Sequence, residues 1–316
     1  MSDIKLKGHL AMLGANVMWG LMAPVVKLTL LSGIVAPLLL VDFRMVGAAI
    51  LFWLTSLFLP REHVPLPDIL RLFGAGMLGV CFNQGCFIIG VSLTTPGEAS
   101  LVTTTMPMWV MLLAWIILRE PISLKKAGGI VLGAAGALIL VLGSDAGGHA
   151  ASNPALGDLI VLAAQFSYAL YLTLYRNFIR RYSLVTIMKW MFLSAAVVST
   201  GVTFPVWSST SWQSISAPEW AGIAAVVVGA TYIAYICVMI GQKNLRPTIV
   251  GMYNYVQPIV ATLVGISLGM DRITLLKVVA IVLIFSGVWL VTVSKSLSSD
   301  KQPLSSDKQS LSSGKQ

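Results

Sequence analysis

Residues 96–136 read PGEASLVTTTMPMWVMLLAWIILREPISLKKAGGIVLGAAG, and residues 247–287 read PTIVGMYNYVQPIVATLVGISLGMDRITLLKVVAIVLIFSG. A shift of 151 lays Pro96 on Pro247, Pro107 on Pro258, Glu120 on Asp271, Ile122 on Ile273, Lys126 on Lys277 and Gly136 on Gly287. The same shift pairs Pro67 with Pro218 and Asp68 with Glu219. Nearer the start of each half a shift of 149 pairs Gly8 with Gly157, Asn16 with Gln165, Trp19 with Tyr168 and Lys27 with Arg176. Prolines held in one register over two halves mark an internal repeat. Each copy is apolar except for short polar joints, so the repeated unit is a set of membrane spans.

Composition agrees. Of 316 residues 57% are apolar before the 28 glycines are counted, and only 10% are charged, against about 25% in a soluble domain. The mean hydropathy is +0.86. Ten apolar stretches can be marked, at roughly 9–30, 35–59, 68–92, 97–118, 122–143, 156–176, 184–206, 217–241, 247–269 and 274–294. The expected fold is all-α and integral to the membrane, with ten transmembrane helices as two inverted five-helix repeats. The first repeat covers 1–144 and the second 152–294. Residues 295–316, three near-copies of Ser-Leu-Ser-Ser-Asp-Lys-Gln, form an expected disordered, low-complexity cytoplasmic tail. Met1–Lys7 is basic and precedes a run carrying Asn16 and Lys27, which reads as a retained first span.

The net charge of +9 does not imply nucleic acid, because the 21 Lys and Arg lie at span ends and form no dense patch. With the N-terminus inside, sixteen fall on inner segments and three on outer ones (Lys27, Arg272, Lys277), with Arg44 and Lys189 inside spans. The positive-inside rule then makes both termini cytoplasmic. Five spans per repeat is an odd number, so the second half enters from the opposite side, an arrangement that transporters use with the site between halves. Cys81, Cys86 and Cys237 all sit in apolar stretches and read as small apolar residues.

Soluble-enzyme motifs fail on context. Gly74-x-Gly76-x-x-Gly79 lacks a preceding strand, and Gly265-x-Ser267-x-Gly269 lacks a nearby histidine base. There is no Walker loop and no paired-histidine metal motif, so the expectation is a protein that is not an enzyme and needs no cofactor. Polar residues inside spans carry more information, since each is costly in hydrocarbon. Asn16 and Trp19 in the first span, Asn83 in the third, Thr103 in the fourth, Gln165 and Tyr168 in the sixth, Tyr235 in the eighth, and Asn254 and Gln257 in the ninth form stripes that suggest a water-accessible cavity. Arg44 joins them as a substrate-binding candidate, and Asp42 is the candidate for a coupling proton. Direct pairing of those two is disfavoured by their spacing of two on a helix; bridging of Asp42 to Arg44 or Lys27 is the structural alternative. Glu98 and Asp158, at span ends, are expected to meet water. Pro107 and Pro258 are expected to bend their helices.

Trp19-Gly20 followed by Lys27, Phe43-Arg44, and the run from Pro107 through Arg119-Glu120-Pro121-Ile122-Ser123 to Lys126, Gly129 and Gly136 resemble the EamA-type transporters of the drug/metabolite transporter superfamily. The resemblance covers about 8–294, and departs where Tyr168-Ala169 replaces a Trp-Gly pair. It implies transport of a small organic metabolite, often export, in a bacterial inner membrane. The solute and the lipid bilayer are the expected partners. A neutral or zwitterionic solute such as an amino acid suits the uncharged stripes. The alternatives are lipophilic drug efflux and a non-transporting scaffold. The charge split predicts that reporter fusions after Leu59 and Ser296 read as cytoplasmic and one after Gly148 as external; an external Ser296 fusion overturns ten spans.

Overall fold

Helix starts are set by proline and by short polar caps. Pro37, Pro96 and Pro154 occupy first-turn positions, where the missing N–H costs nothing. Thr95, Asn153 and Ser183 each accept a backbone N–H with the side chain, and Ser216 forms a capping box with Glu219. The computed structural model describes residues 3–119, 122–142, 151–245 and 253–293. The tail 295–316, Glu120, Pro247 and the 143–150 joint lie outside them.

The described residues run as ten principal helical segments: α1 Asp3–Leu30, α2 Pro37–Ser56, α3 Leu66–Leu93, α4 Pro96–Leu118, α5 Leu124–Leu142, α6 Pro154–Leu174, α7 Leu184–Ser209, α8 Ala217–Asn244, α9 Val256–Ser267 and α10 Leu275–Val293. Seven of them (α1–α4 and α6–α8) are long and apolar enough to cross a membrane. No strand occurs among the described residues.

The two halves interlock. α5 packs on α10 and α2 on α7, each helix against its counterpart five places on. The α3–α6 contact is answered by α8–α1, and the α1–α9 contact by α6–α4. Irregularities also come in matched pairs. α3 is π-helical over Met77–Phe82, and α8 over Ala225–Ile233. α4 is interrupted at Thr104–Thr105, just before Pro107, and a 3-10 turn at Tyr253–Tyr255 precedes Pro258. Pro107 therefore lies in the first turn of a restarted helix, where it needs no hydrogen bond. Two prolines sit within helices instead, Pro24 in α1 and Pro205 in α7.

The glycines of the apparent nucleotide motif lie inside α3 against other helices: a Cβ on Gly76 would meet Ser194 and the Met191 backbone, and one on Gly79 the Tyr171 ring. A close, reciprocal backbone approach joins α3 to α6. A Cβ on Gly90 would stand 2.8 Å from the Gly157 carbonyl, and one on Gly157 2.8 Å from the Gly90 carbonyl. Small residues permit such contact where apolar lipid gives helices little reason to associate. Gly90→Ala is expected to destabilise by about 1–3 kcal/mol through overpacking, read as a lower unfolding midpoint of the purified protein. Gly85→Ala, whose Cβ would find only Val41 at 3.9 Å, is the control; equal midpoints for both variants reject the crossing as a packing constraint.

Candidate functional site

The π-helical turn in α8 builds the centre. Thr231 lies in it and donates to the Val226 carbonyl five residues back (2.9 Å), satisfying that acceptor. Its hydroxyl in turn accepts from Arg44 Nε of α2 at 2.7 Å. Arg44 is 1% exposed, and its Nη1 is buried with no hydrogen-bond partner. One turn beyond Thr231, Tyr235 stands edge-on to Trp19 at 5.7 Å and to Phe52 at 6.4 Å. Trp19 Nε1 donates to the Ala230 carbonyl at 2.9 Å, tying α1 to the same turn. Tyr232 meets Phe52 and exchanges a hydrogen bond with Thr55 (2.6 Å). The result is a guanidinium with one unused donor group, among aromatic rings supplied by α1, α2 and α8.

Among the residues singled out from sequence, Trp19, Arg44 and Tyr235 come together here. Asn16 and Gln257 form a separate pair, with Gln257 Nε2 donating to Asn16 Oδ1 at 2.8 Å between α1 and α9. Asn16 Nδ2 donates to the Met12 carbonyl. Asn83 donates to the Ala164 carbonyl of α6, and Thr103 to the Ser100 carbonyl in its own helix. Gln165 is buried on α6, Tyr168 packs on Tyr171 at 5.6 Å, and Asn254 lies in the 3-10 turn before α9.

Asp42 bridges neither Arg44 nor Lys27. Its Oδ1 accepts from Ser199 (2.6 Å) and Thr200 (2.8 Å), and its Oδ2 accepts from Trp207 Nε1 (2.8 Å), all on α7. Three donors around a fully buried carboxyl hold α2 to α7.

Sequence reasoning missed a second polar centre, at the end of the bundle where α1 and α3 finish and α10 begins; we call this the far face. Lys27 spends its three ammonium hydrogens on the carbonyls of Val91 (3.1 Å), Ser92 (2.8 Å) and Thr94 (2.8 Å), capping the C-terminal end of α3. Asp271 is delivered by a tight turn after α9: Gly269 has φ +69°, and the amides of Met270 and Asp271 both donate to the Gly265 carbonyl. Its carboxylate accepts from Thr95 Oγ1 (2.7 Å), the Gly97 amide (2.6 Å) and Lys277 Nζ (3.1 Å). Lys277 also pairs with Glu98 at 2.8 Å. Thr94 Oγ1 lies 2.9 Å from Glu98 Oε2 and 2.7 Å from Asp158 Oδ1. Glu98 and Asp158 are 2% and 0% exposed, so the expectation that they meet water is corrected: five chain segments converge and exclude it. The periodicity of a single helix carries no sign of that convergence.

The opposite face has smaller ties. Tyr182 donates to Asp68 Oδ2 at 2.6 Å, which pushes its phenol up, and Arg71 pairs with Asp68 at 3.2 Å. Glu219, the repeat counterpart of Asp68, is held by Ser32 on the far face. A cavity of about 270 Å³ opens between α4, α5 and α6, lined by Met108, Trp109, Leu138 and Leu162 among other apolar side chains.

The family of EamA-like transporters matches this chain twice, over 6–142 and 155–293, and the chain belongs to that family. It is 26% identical over 293 residues to "Uncharacterized inner membrane transporter YedA" of Escherichia coli K12, covering 91% of each chain. It is 34% identical over 164 residues to a "Probable amino-acid metabolite efflux pump" of Salmonella typhimurium LT2, covering 51% of this chain and 50% of that protein. A solved crystal structure shares the fold at TM-score 0.61 and 22% identity, covering 92% of this chain and 97% of that one. The protein is a multi-pass membrane transporter of this family.

If Asp42 serves to hold α2 on α7, Asp42→Leu strands three donors. A stability loss of about 1–3 kcal/mol per stranded group is expected, with flux per folded molecule retained in Asp42→Asn. Loss of gradient-driven accumulation in Asp42→Asn at normal stability makes Asp42 the coupling carboxyl instead.

Proposed function

We propose that this chain is a secondary transporter that exports a small carboxylate-bearing metabolite, such as an amino acid, across the bacterial inner membrane by alternating access. The observation that carries the reading is the unpartnered, buried Arg44 Nη1. A guanidinium taken out of water is costly unless its donors are used. Its Nε is already used by Thr231, which fixes the plane of the fork and leaves the Nη1 edge for a carboxylate. Trp19, Tyr235 and Phe52 beside it offer apolar and aromatic surface for the remainder of the solute, the usual composition of a small-molecule site. The matched π turns and helix breaks give each half a place to bend, and inverted repeats work by rocking one half against the other. The export direction is supported by the name of the Salmonella relative, and the cytoplasmic placement of both termini by the distribution of Lys and Arg. On that orientation the far face is external.

A second reading, efflux of apolar compounds, draws on the 270 Å³ cavity, where Trp109 Nε1 is buried without a partner. Binding separates the two. Amino acids should raise the unfolding midpoint of the purified protein while their amides do not, since only a ligand bound to the folded state stabilises it. Arg44→Gln should weaken that binding at least about 30-fold, the lower end of what losing one partner of a buried charge pair costs. Equal stabilisation by amides, or undiminished binding in Arg44→Gln, overturns the carboxylate reading. Stabilisation by lipophilic cations that is lost in Trp109→Ala favours the second.

A further inference from the structure

We propose that Asp158 is a proton-binding site whose occupancy closes the far face of the transporter. This deepens the transport reading and takes from it only the meaning of closure. Thr94 Oγ1 carries one hydrogen, yet it lies within hydrogen-bond distance of two carboxyls, Glu98 Oε2 at 2.9 Å and Asp158 Oδ1 at 2.7 Å. If both were ionised, one of these contacts would set a hydroxyl lone pair against a buried carboxylate. One additional proton resolves it: Asp158 Oδ1–H donates to Thr94, and Thr94 donates to Glu98. Glu98 is the ionised member, since its other oxygen receives Lys277 at 2.8 Å. Asp158 Oδ2 is buried with no partner at all, which suits the carbonyl oxygen of a neutral acid and not half of a carboxylate.

Charge gives the same answer. Glu98 and Asp271 balance Lys27 and Lys277, so an ionised Asp158 would leave the cluster with one uncompensated negative charge in a buried site. Among the described residues no other cation pairs with Asp158. Lys27 is committed to three carbonyls, and Lys277 to Glu98 and Asp271. From α3 the side facing Asp158 is Gly90 and Thr94, and α5 carries no charged residue after Lys126. Among the described residues no group of three or more His, Cys, Asp or Glu is arranged to hold a metal ion.

Asp158 differs from the carboxyl that the sequence drew attention to. Asp42 has three donors on its two oxygens, the surroundings of an ion, whereas Asp158 has a single contact that needs its proton. The site is also one-sided: in the repeat register its counterpart is His9, whose Nδ1 meets Tyr253 at 2.7 Å. When the halves part at the far face, the Asp158 O–H bond breaks and the proton passes to external water. Reclosure requires a proton to return to Asp158, so external acid favours the closed form and rising pH opens it.

Infrared spectroscopy of the full-length purified protein tests this without any measurement of transport, so its failure leaves the transporter reading standing. Near neutral pH a carbonyl-stretch band of a protonated carboxylic acid is expected. It should shift when aspartate is isotope-labelled at the side-chain carboxyl and stay in place when glutamate is labelled. Thr94→Val should move it, because the acid loses its acceptor. Asp158→Asn should abolish it. Raising the pH should remove the band in step with a loss of backbone protection over residues 92–99, taken relative to the intrinsic base-catalysed exchange rate at each pH, and Asp158→Asn should abolish that pH dependence of protection. Absence of the band, a shift on labelling glutamate, or a pH-dependent loss of protection over 92–99 that survives in Asp158→Asn overturns the proposal. If the variants fail to fold, the labelled wild type still overturns the proposal by showing no aspartate-shifted band.

Discussion

No water is at hand inside a lipid-embedded bundle to satisfy a broken backbone, and this one constraint organises the structure. At four of the irregular points among the described residues a side chain supplies a hydrogen bond. The interruption of α4 is met by Thr103, Thr104 and Thr105, each donating to the carbonyl three residues back. The end of α3 is met by Lys27. The π turn of α3 receives Ser167 of α6 on the Leu78 carbonyl, and that of α8 receives Trp19 of α1 on the Ala230 carbonyl. In both cases the donor comes from the first helix of the other half. The irregular turns are therefore where the two repeats are stitched together.

The repeats supply a common frame and the site arises where they differ. Helix pairings and breaks recur under the shift of five helices. The chemistry does not recur. Arg44 reaches across to Thr231, and the carboxyl of α2 is clasped by donors from α7. Among the described residues three carboxyls gather at the far face and not at the other. A symmetric frame allows two alternately open states, and one-sided chemistry can bias which state is occupied.

What the sequence could reveal follows from which interactions are local. The repeat register, the all-helical membrane fold and the cost of Arg44 inside a span are each readable along one stretch of chain. Trp19, Arg44 and Tyr235 were findable because each is an aromatic or charged residue on an apolar helix. The far-face centre was not, because Lys27, Thr94, Thr95, Asp158 and Asp271 are joined by contacts over separations of 64 to 176 residues. A carboxyl near a helix end normally meets water, and only the meeting of several helix ends reverses that for Asp158. The mismatch between Pro107 and a simple bend has a similar origin. A proline suggests a kink in the helix it occupies, but the preceding threonines hold a complete break, and the proline starts the next helix.

The two polar centres share one element, α1. Trp19 binds the π turn beside Arg44, and Lys27 caps α3 at the far face; eight residues of helix separate them, about 12 Å of rise. Pro24 lies between, and having no N–H it leaves the Gly20 carbonyl without its usual helical donor. Gly20 is also where α1 touches α9, since a Cβ there would come within 2.8 Å of the Gln257 carbonyl. An uninterrupted helix would carry any displacement of Lys27 rigidly to Trp19. A proline between them lets the far-face end of α1 swing about a pivot fixed on the other half, with the bend absorbed at Gly20–Pro24. The bend at Pro24 thus spares the bond of the Trp19 indole to Ala230, and with it the wall of the chamber in which Arg44 presents its free edge.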